Sequence, residues 1–291
     1  MFHYPRRSLF GSPRILSLWP SLRTSPPITH FSWSPLVQAG VTRNLHRVLP
    51  PNDASSISPA SLFPPPTPSR FPTLPTALRT SRQQSSQEYN PAPLSSLLAL
   101  HIRRGDYIRH CPRLARWGAT FLGFNSFPSF GSEELFKEPD FLSLGGREEY
   151  YRKRCWPSVE EVVRKLRRVR EEWEGGSNNT SHHHEISQST RDSNARTLRH
   201  LYLMTNGWPS FVSELRHALL ADGWETLTSS LDVERGLDSE QKWVAMAVDM
   251  AVAERAAVLV GNGVRFTFIL TRSSLFCTNP PNFQSSFSSQ V

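Results

Sequence analysis

No apolar run in this chain reaches the roughly 18 residues that a membrane-crossing helix needs, so no transmembrane span is expected. The opening residues also lack the apolar core of a secretory signal peptide. Cysteine is scarce: Cys111, Cys155 and Cys277 are the only three, and their spacing matches no zinc motif. One bridge, Cys111–Cys155, is open to an oxidising compartment; free buried thiols are the favoured reading. Acidic residues are scarce at both ends. Residues 1–95 hold two, Asp53 and Glu88, with nine arginines and no lysine, and residues 264–291 hold none. The first 95 residues therefore carry +7 of the total +8, which leaves +1 for the rest. The high pI belongs to that leader, and it implies no nucleic-acid-binding face on a folded element.

Hydrophobic periodicity is what residues 1–95 lack most. They contain 17 of the 24 prolines, which fix φ and remove backbone donors. The expectation is a disordered Pro/Ser/Arg-rich leader without a core. Its opening, MFHYPRRSLFGSPRILSLWPSLRTS, has the composition of a transit peptide, but Pro5, Pro13 and Pro20 interrupt any amphipathic helix. The other reading is a leader that is not genuine coding sequence.

Residues 96–263 are different in kind. Leu97–Asp106, LLALHIRRGD, is a short apolar run that breaks into turn chemistry, as a buried strand does on leaving a sheet. Ligands of open α/β sheets sit beyond the carboxyl ends of strands, so His101, Arg103 and Arg104 fall where a phosphorylated ligand is gripped. Arginine suits phosphate because its planar fork stays charged and offers several donors. The plain alternative is a strand-end ion pair between one arginine and Asp106, with the other in solvent. Residues 107–130 read as an aromatic, Pro-punctuated loop, and 131–149 as a polar surface connection. Ser158 and Glu161 form a capping box for a helix whose Val159, Val162, Val163, Leu166, Val169 and Trp173 face inward until Gly175-Gly176.

Residues 174–197 read as a flexible insertion. It carries two overlapping sequons, at 178–180 and 179–181, and His182–His184, which read as hydrated rather than metal-bound. Leu198–Thr205 is a second strand, and Pro209 opens a helix with Phe211, Val212, Leu215 and Leu219 inside. Trp224–Thr228 is a third strand. Asp238 and Gln241 cap a helix with Val244, Ala245, Val248 and Val252 inward, and Ala256–Val260 is a fourth strand. Alternation of this kind predicts an α/β fold, a Rossmann-like parallel sheet with flanking helices over 96–263. Residues 264–291 read as an irregular, disordered tail.

Three blocks in this order resemble the GDP-fucose protein O-fucosyltransferase-like family, in particular its fungal members. They are His101–Asp106 with Cys111 and the FNSFP run at 124–128; Leu201–Gly207; and Val248-Asp249-Met250 leading into Val258–Gly263. The resemblance implies the C-terminal half of a GT-B glycosyltransferase that takes GDP-fucose as donor and needs no metal. It implies that Arg103 holds the β-phosphate and stabilises the departing GDP, because charge accumulates there in the transition state. His101 and Asp249 fall at the guanine. Arg104, Asp106, Thr205, Asn206 and Asn262 complete the implied nucleotide-sugar set. The acceptor, protein or glycan, is left open, and the family points to the secretory pathway (ER or Golgi).

This chain departs from the family pattern at Val264–Thr267, where relatives carry a Ser-rich segment. Asn206-Gly207 replaces an acidic pair, as in fungal members. No first Rossmann domain is found in residues 1–95. The expectation is thus a truncated transferase, inactive or impaired as written. The alternative is a non-enzymatic α/β nucleotide- or partner-binding module.

Overall fold

A computed structural model describes residues 17–54, 57, 62–63, 94–118, 144–175 and 197–261. Four strands form one sheet: β1 (Leu94–Ile102), β2 (His200–Thr205), β3 (Thr226–Ser229) and β4 (Ala256–Gly261). All three pairings are parallel, and the order is β3-β2-β1-β4. The fold is Rossmann-like α/β, and the strands lie within two residues of their predicted positions, except that β1 begins three residues before Leu97.

Alternation along β1 explains how both faces are covered. Leu98, Leu100 and Ile102 point to one side, with Leu201, Leu203 and Leu227. Helices α7 (Val159–Gly175) and α8 (Pro209–Ala221) cover that side through Val159, Val162, Leu166, Phe211, Val212, Leu215 and Leu219. Leu97, Ala99, Tyr202 and Met204 point to the other side, beneath α11 (Ala245–Arg255) and α3 (Pro35–Val48). Each fully buried leucine contributes about 1.5–3 kcal/mol of transfer free energy.

The capping box at the start of α7 forms as the sequence predicts: Ser158 N–H donates to Glu161 at 2.7 Å, and Glu161 N–H to Ser158 Oγ at 3.3 Å. Asp238 and Gln241 cap each other in the same way, but the helix they open is short. It spans Ser239–Trp243 (α10) and breaks at Val244, where φ is −112° and ψ 16°, before α11 begins. Trp173, expected inside, is partly exposed.

The leader needs a correction over part of its length. Pro35–Val48 is a 14-residue helix, with Ser34 capping Val37 N–H and a proline in its first turn. Val37, Val41, Leu45 and Val48 recur at helical spacing and are buried in the same cluster as Val248 and Val252. Gly40 permits the approach to α11: a Cβ there would lie 2.9 Å from Val248 Cγ2. Helices α1 (Trp19–Arg23), α2 (Pro26–Thr29) and α4 (Pro51–Ala54) flank α3. Asp53, next to the last residue of α4, accepts from Arg199 at 3.2 Å and lies 3.1 Å from His200 Nε2 at the base of β2. Buried Arg255 donates to Leu62 O. The prolines on either side of this stretch concealed it, although its buried face repeats at helical spacing: four of its six buried residues, Val37, Val41, Leu45 and Val48, are aliphatic.

Two further expectations fail between β1 and β2. Tyr107–Trp117, read as loop, is helix α5, and Leu144–Cys155, read as part of a polar connection, is helix α6. Tyr107, Cys111, Leu114 and Ala115 of α5 pack on Tyr151 and Cys155 of α6. Cys111 and Cys155 are joined by a disulfide with a Cα–Cα distance of 6.1 Å, so the favoured free-thiol reading is wrong. Pro112 sits inside α5 and leaves one turn without its usual N–H donor, which is why the stretch looked irregular. Residues 119–143, most of the 174–197 insertion with its sequons and histidines, Asn262, and the 264–291 tail lie outside the described residues.

Candidate functional site

Connectivity locates the ligand-binding end of the sheet. The helices between β1 and β3 that pack on the sheet, α7 and α8, lie on one face. The connection from β3 to β4 runs through α9 (Ser230–Glu234), α10 and α11, and α11 lies on the other. The chain therefore reverses between β1 and β4, and a crevice opens at the carboxyl ends of strands flanking such a switch. His101 and Gly261 face each other across that point.

Arg103 follows β1 by one residue and stands half-exposed beside an open cavity of about 300 Å³. Arg103, Asp106, Tyr107, Arg109, His110 and Arg113 line it. Arg103 donates from Nε and Nη2 to the two carboxylate oxygens of Asp106, at 3.0 and 2.8 Å. Its guanidinium also lies 5.4 Å from the centre of the Tyr107 ring. The hydrogen bonds from Arg103 hold the Asp106 carboxyl down to about 2, with Asn206 assisting, and the same pair raises Arg103. The strand-end ion pair weighed from the sequence is thus present, on the wall of a cavity.

Asn206, just past β2, organises the loop. Its Oδ1 accepts from Arg104 N–H at 2.7 Å and Gly105 N–H at 3.0 Å, and its Nδ2 donates to Asp106 at 3.0 Å. Gly105 is required by this approach, since a Cβ there would stand 2.7 Å from Asn206 O. Thr205 is occupied similarly: its hydroxyl donates to Ile102 O at 2.6 Å and accepts from Gly207 N–H at 3.0 Å. Neither side chain lines the cavity: Asn206 acts on it through Asp106, and Thr205 fixes the turn after β2.

Arg104, His101 and Asp249 are not among the residues that line the cavity. Arg104 lies between the rings of Trp156 and Phe211, 4.4 and 3.9 Å from their centres, and donates to Pro157 O. Burial lowers its pKa, opposed by Glu214 and Glu161. His101 is largely buried at the switch point, and burial, then Arg103, lowers its pKa. Asp249 accepts from the Tyr202 hydroxyl, three residues (about 10 Å) back from the end of β2. Burial raises both its pKa and that of Tyr202.

Sequence reasoning missed Tyr107, Arg109, His110 and Arg113. Asp106, Arg109, His110 and Arg113 recur at i, i+3, i+4 and i+7, which is one side of a helix. That signal was present, and the loop reading of 107–130 hid it. Among the described residues, no group of three His, Cys, Asp or Glu side chains is placed to hold a metal ion, and no helix is long and apolar enough to cross a membrane. No family model, no curated protein and no solved structure matches this chain.

Proposed function

We propose that this chain is a nucleotide-sugar-binding α/β domain of the O-fucosyltransferase-like kind, with GDP-fucose as the donor and Arg103 on its diphosphate. The observation that carries the reading is the Arg103 guanidinium, half-exposed on a cavity one residue beyond a central parallel strand. Phosphate needs a fixed, permanently charged fork at that place, and a departing GDP gains most from it as the sugar–oxygen bond breaks. In this reading Asn206 and Gly105 set the loop, and Thr205 closes its base. The Cys111–Cys155 disulfide agrees with the secretory pathway, because such bonds persist in oxidising compartments.

The test is calorimetric titration of the full chain with GDP, for the wild type and Arg103→Ala. Binding by the wild type that falls at least about tenfold in the variant is the expected result. Equal binding by both, or none by a folded wild type, ends the reading.

One observation favours the second reading, a module that binds without catalysing transfer. Asp106 is the carboxylate among the described residues that line the cavity, and at about 2 it is far too acidic to take a proton near neutral pH. Release of GDP from GDP-fucose in the presence of the chain separates the two readings.

A further inference from the structure

Arg103 occupies only one end of the cavity. From Asp106 the lining continues along α5 through Arg109 and His110 to Arg113, seven residues on. Seven residues of helix advance about 10 Å. Arg109 and Arg113 are one turn apart on the exposed side of α5, opposite the face that packs on α6. Among the described residues neither guanidinium has a hydrogen bond or ion pair, in contrast to Arg103, Arg152, Arg167, Arg168, Arg170, Arg199 and Arg216, all of which have acidic partners. Two guanidiniums left uncompensated on a cavity wall repel each other, and an anion between them removes that cost.

We infer that the exposed face of α5 is a second anion subsite, in which Arg109 and Arg113 receive an anionic group separate from the one that Arg103 takes. The ligand class is then an oligophosphate or a nucleotide with more than one phosphate, and a single phosphate fills only part of the site. The inference deepens the nucleotide reading but rests on the cavity alone.

The experiment compares inorganic phosphate, pyrophosphate and tripolyphosphate, with GDP in parallel, by calorimetry on the full chain at one ionic strength. For the wild type, affinity is expected to rise about tenfold with chain length from phosphate to tripolyphosphate. Arg109→Gln/Arg113→Gln is expected to flatten that rise, weakening tripolyphosphate about tenfold and phosphate by much less. Arg164→Gln/Arg168→Gln on α7 changes the net charge equally and is expected to leave the rise intact. Each altered arginine is exposed, and thermal melts confirm folding. An unchanged rise in the α5 variant, or an equal loss in the α7 variant, overturns the subsite. A rise that depends on Arg109 and Arg113 without any GDP binding keeps the subsite and ends the nucleotide-sugar reading. GDP binding that needs Arg103, with a rise indifferent to the α5 pair, ends the subsite alone.

Discussion

Arg103 and Asp106 meet fork to fork, with both carboxylate oxygens engaged at 3.0 and 2.8 Å. Asp106 thereby fills the same edge of the guanidinium that a phosphate would use, and Asn206 holds it there. Replacing it with asparagine keeps an acceptor for Asn206 and removes the competing charge. Asp106→Asn is expected to tighten phosphate binding about fivefold, equivalent to ~1 kcal/mol, in a calorimetric titration. The sign with pH follows from the lowered carboxyl. The pair is intact above the ordinary carboxylate value of about 4 and is lost as pH falls through about 2. Its contribution to folding stays under about 1 kcal/mol, because both partners are half-exposed.

The disulfide closes a separation of 44 residues and pins α5, which carries the cavity lining, to α6. Loop-closure entropy for that length corresponds to about 4 kcal/mol. Cys111→Ser/Cys155→Ser is expected to lower stability by up to that amount in urea unfolding. Reductant is expected to destabilise the wild type and to leave the variant unchanged.

Asp249 has a folded pKa above its ordinary value, with burial as the first cause. A carboxyl of that kind contributes stability that is fully present below its unfolded pKa and is lost as pH rises through the folded one. Wild-type stability is therefore expected to decline on that rise. Asp249→Asn, neutral throughout, is expected to flatten the profile while keeping an acceptor for Tyr202. Asp249→Ala leaves a buried tyrosine hydroxyl unpaired and is expected to cost about 1–3 kcal/mol. Urea midpoints measured across a pH series check all three.

Helix α3 completes one face of the sheet, and Leu45 is buried within that cluster. Leu45→Ala is expected to destabilise the chain by about 2–4 kcal/mol, whereas Thr42→Ala on the exposed side changes it by less than about 0.5 kcal/mol. Equal effects in urea unfolding would mean that α3 is not docked.

Much of the sheet was legible in the residues because its strands are continuous apolar runs bounded by turn chemistry. Leu97–Ile102, Leu198–Thr205 and Ala256–Val260 each read as a strand, and each holds one at that place. Capping boxes at Ser158 and Asp238 were equally readable, since their partners lie three residues away. Helix α5 was not, because Pro112 and alternating arginines disguise a face that acquires meaning only when α6 packs on it.

Local order along the chain by itself determined the α/β alternation, the parallel strands and the placement of Arg103 at a strand's end. Those features depend on contacts between near neighbours in sequence, where periodicity and caps speak directly. Tertiary structure alone decided which partners those residues take. It seats α3 on the sheet, closes Cys111 on Cys155, sends Arg104 between two rings, and holds Asp249 on Tyr202. Each of these joins residues at least 40 positions apart, and the geometry of such pairs is set only when the layers pack.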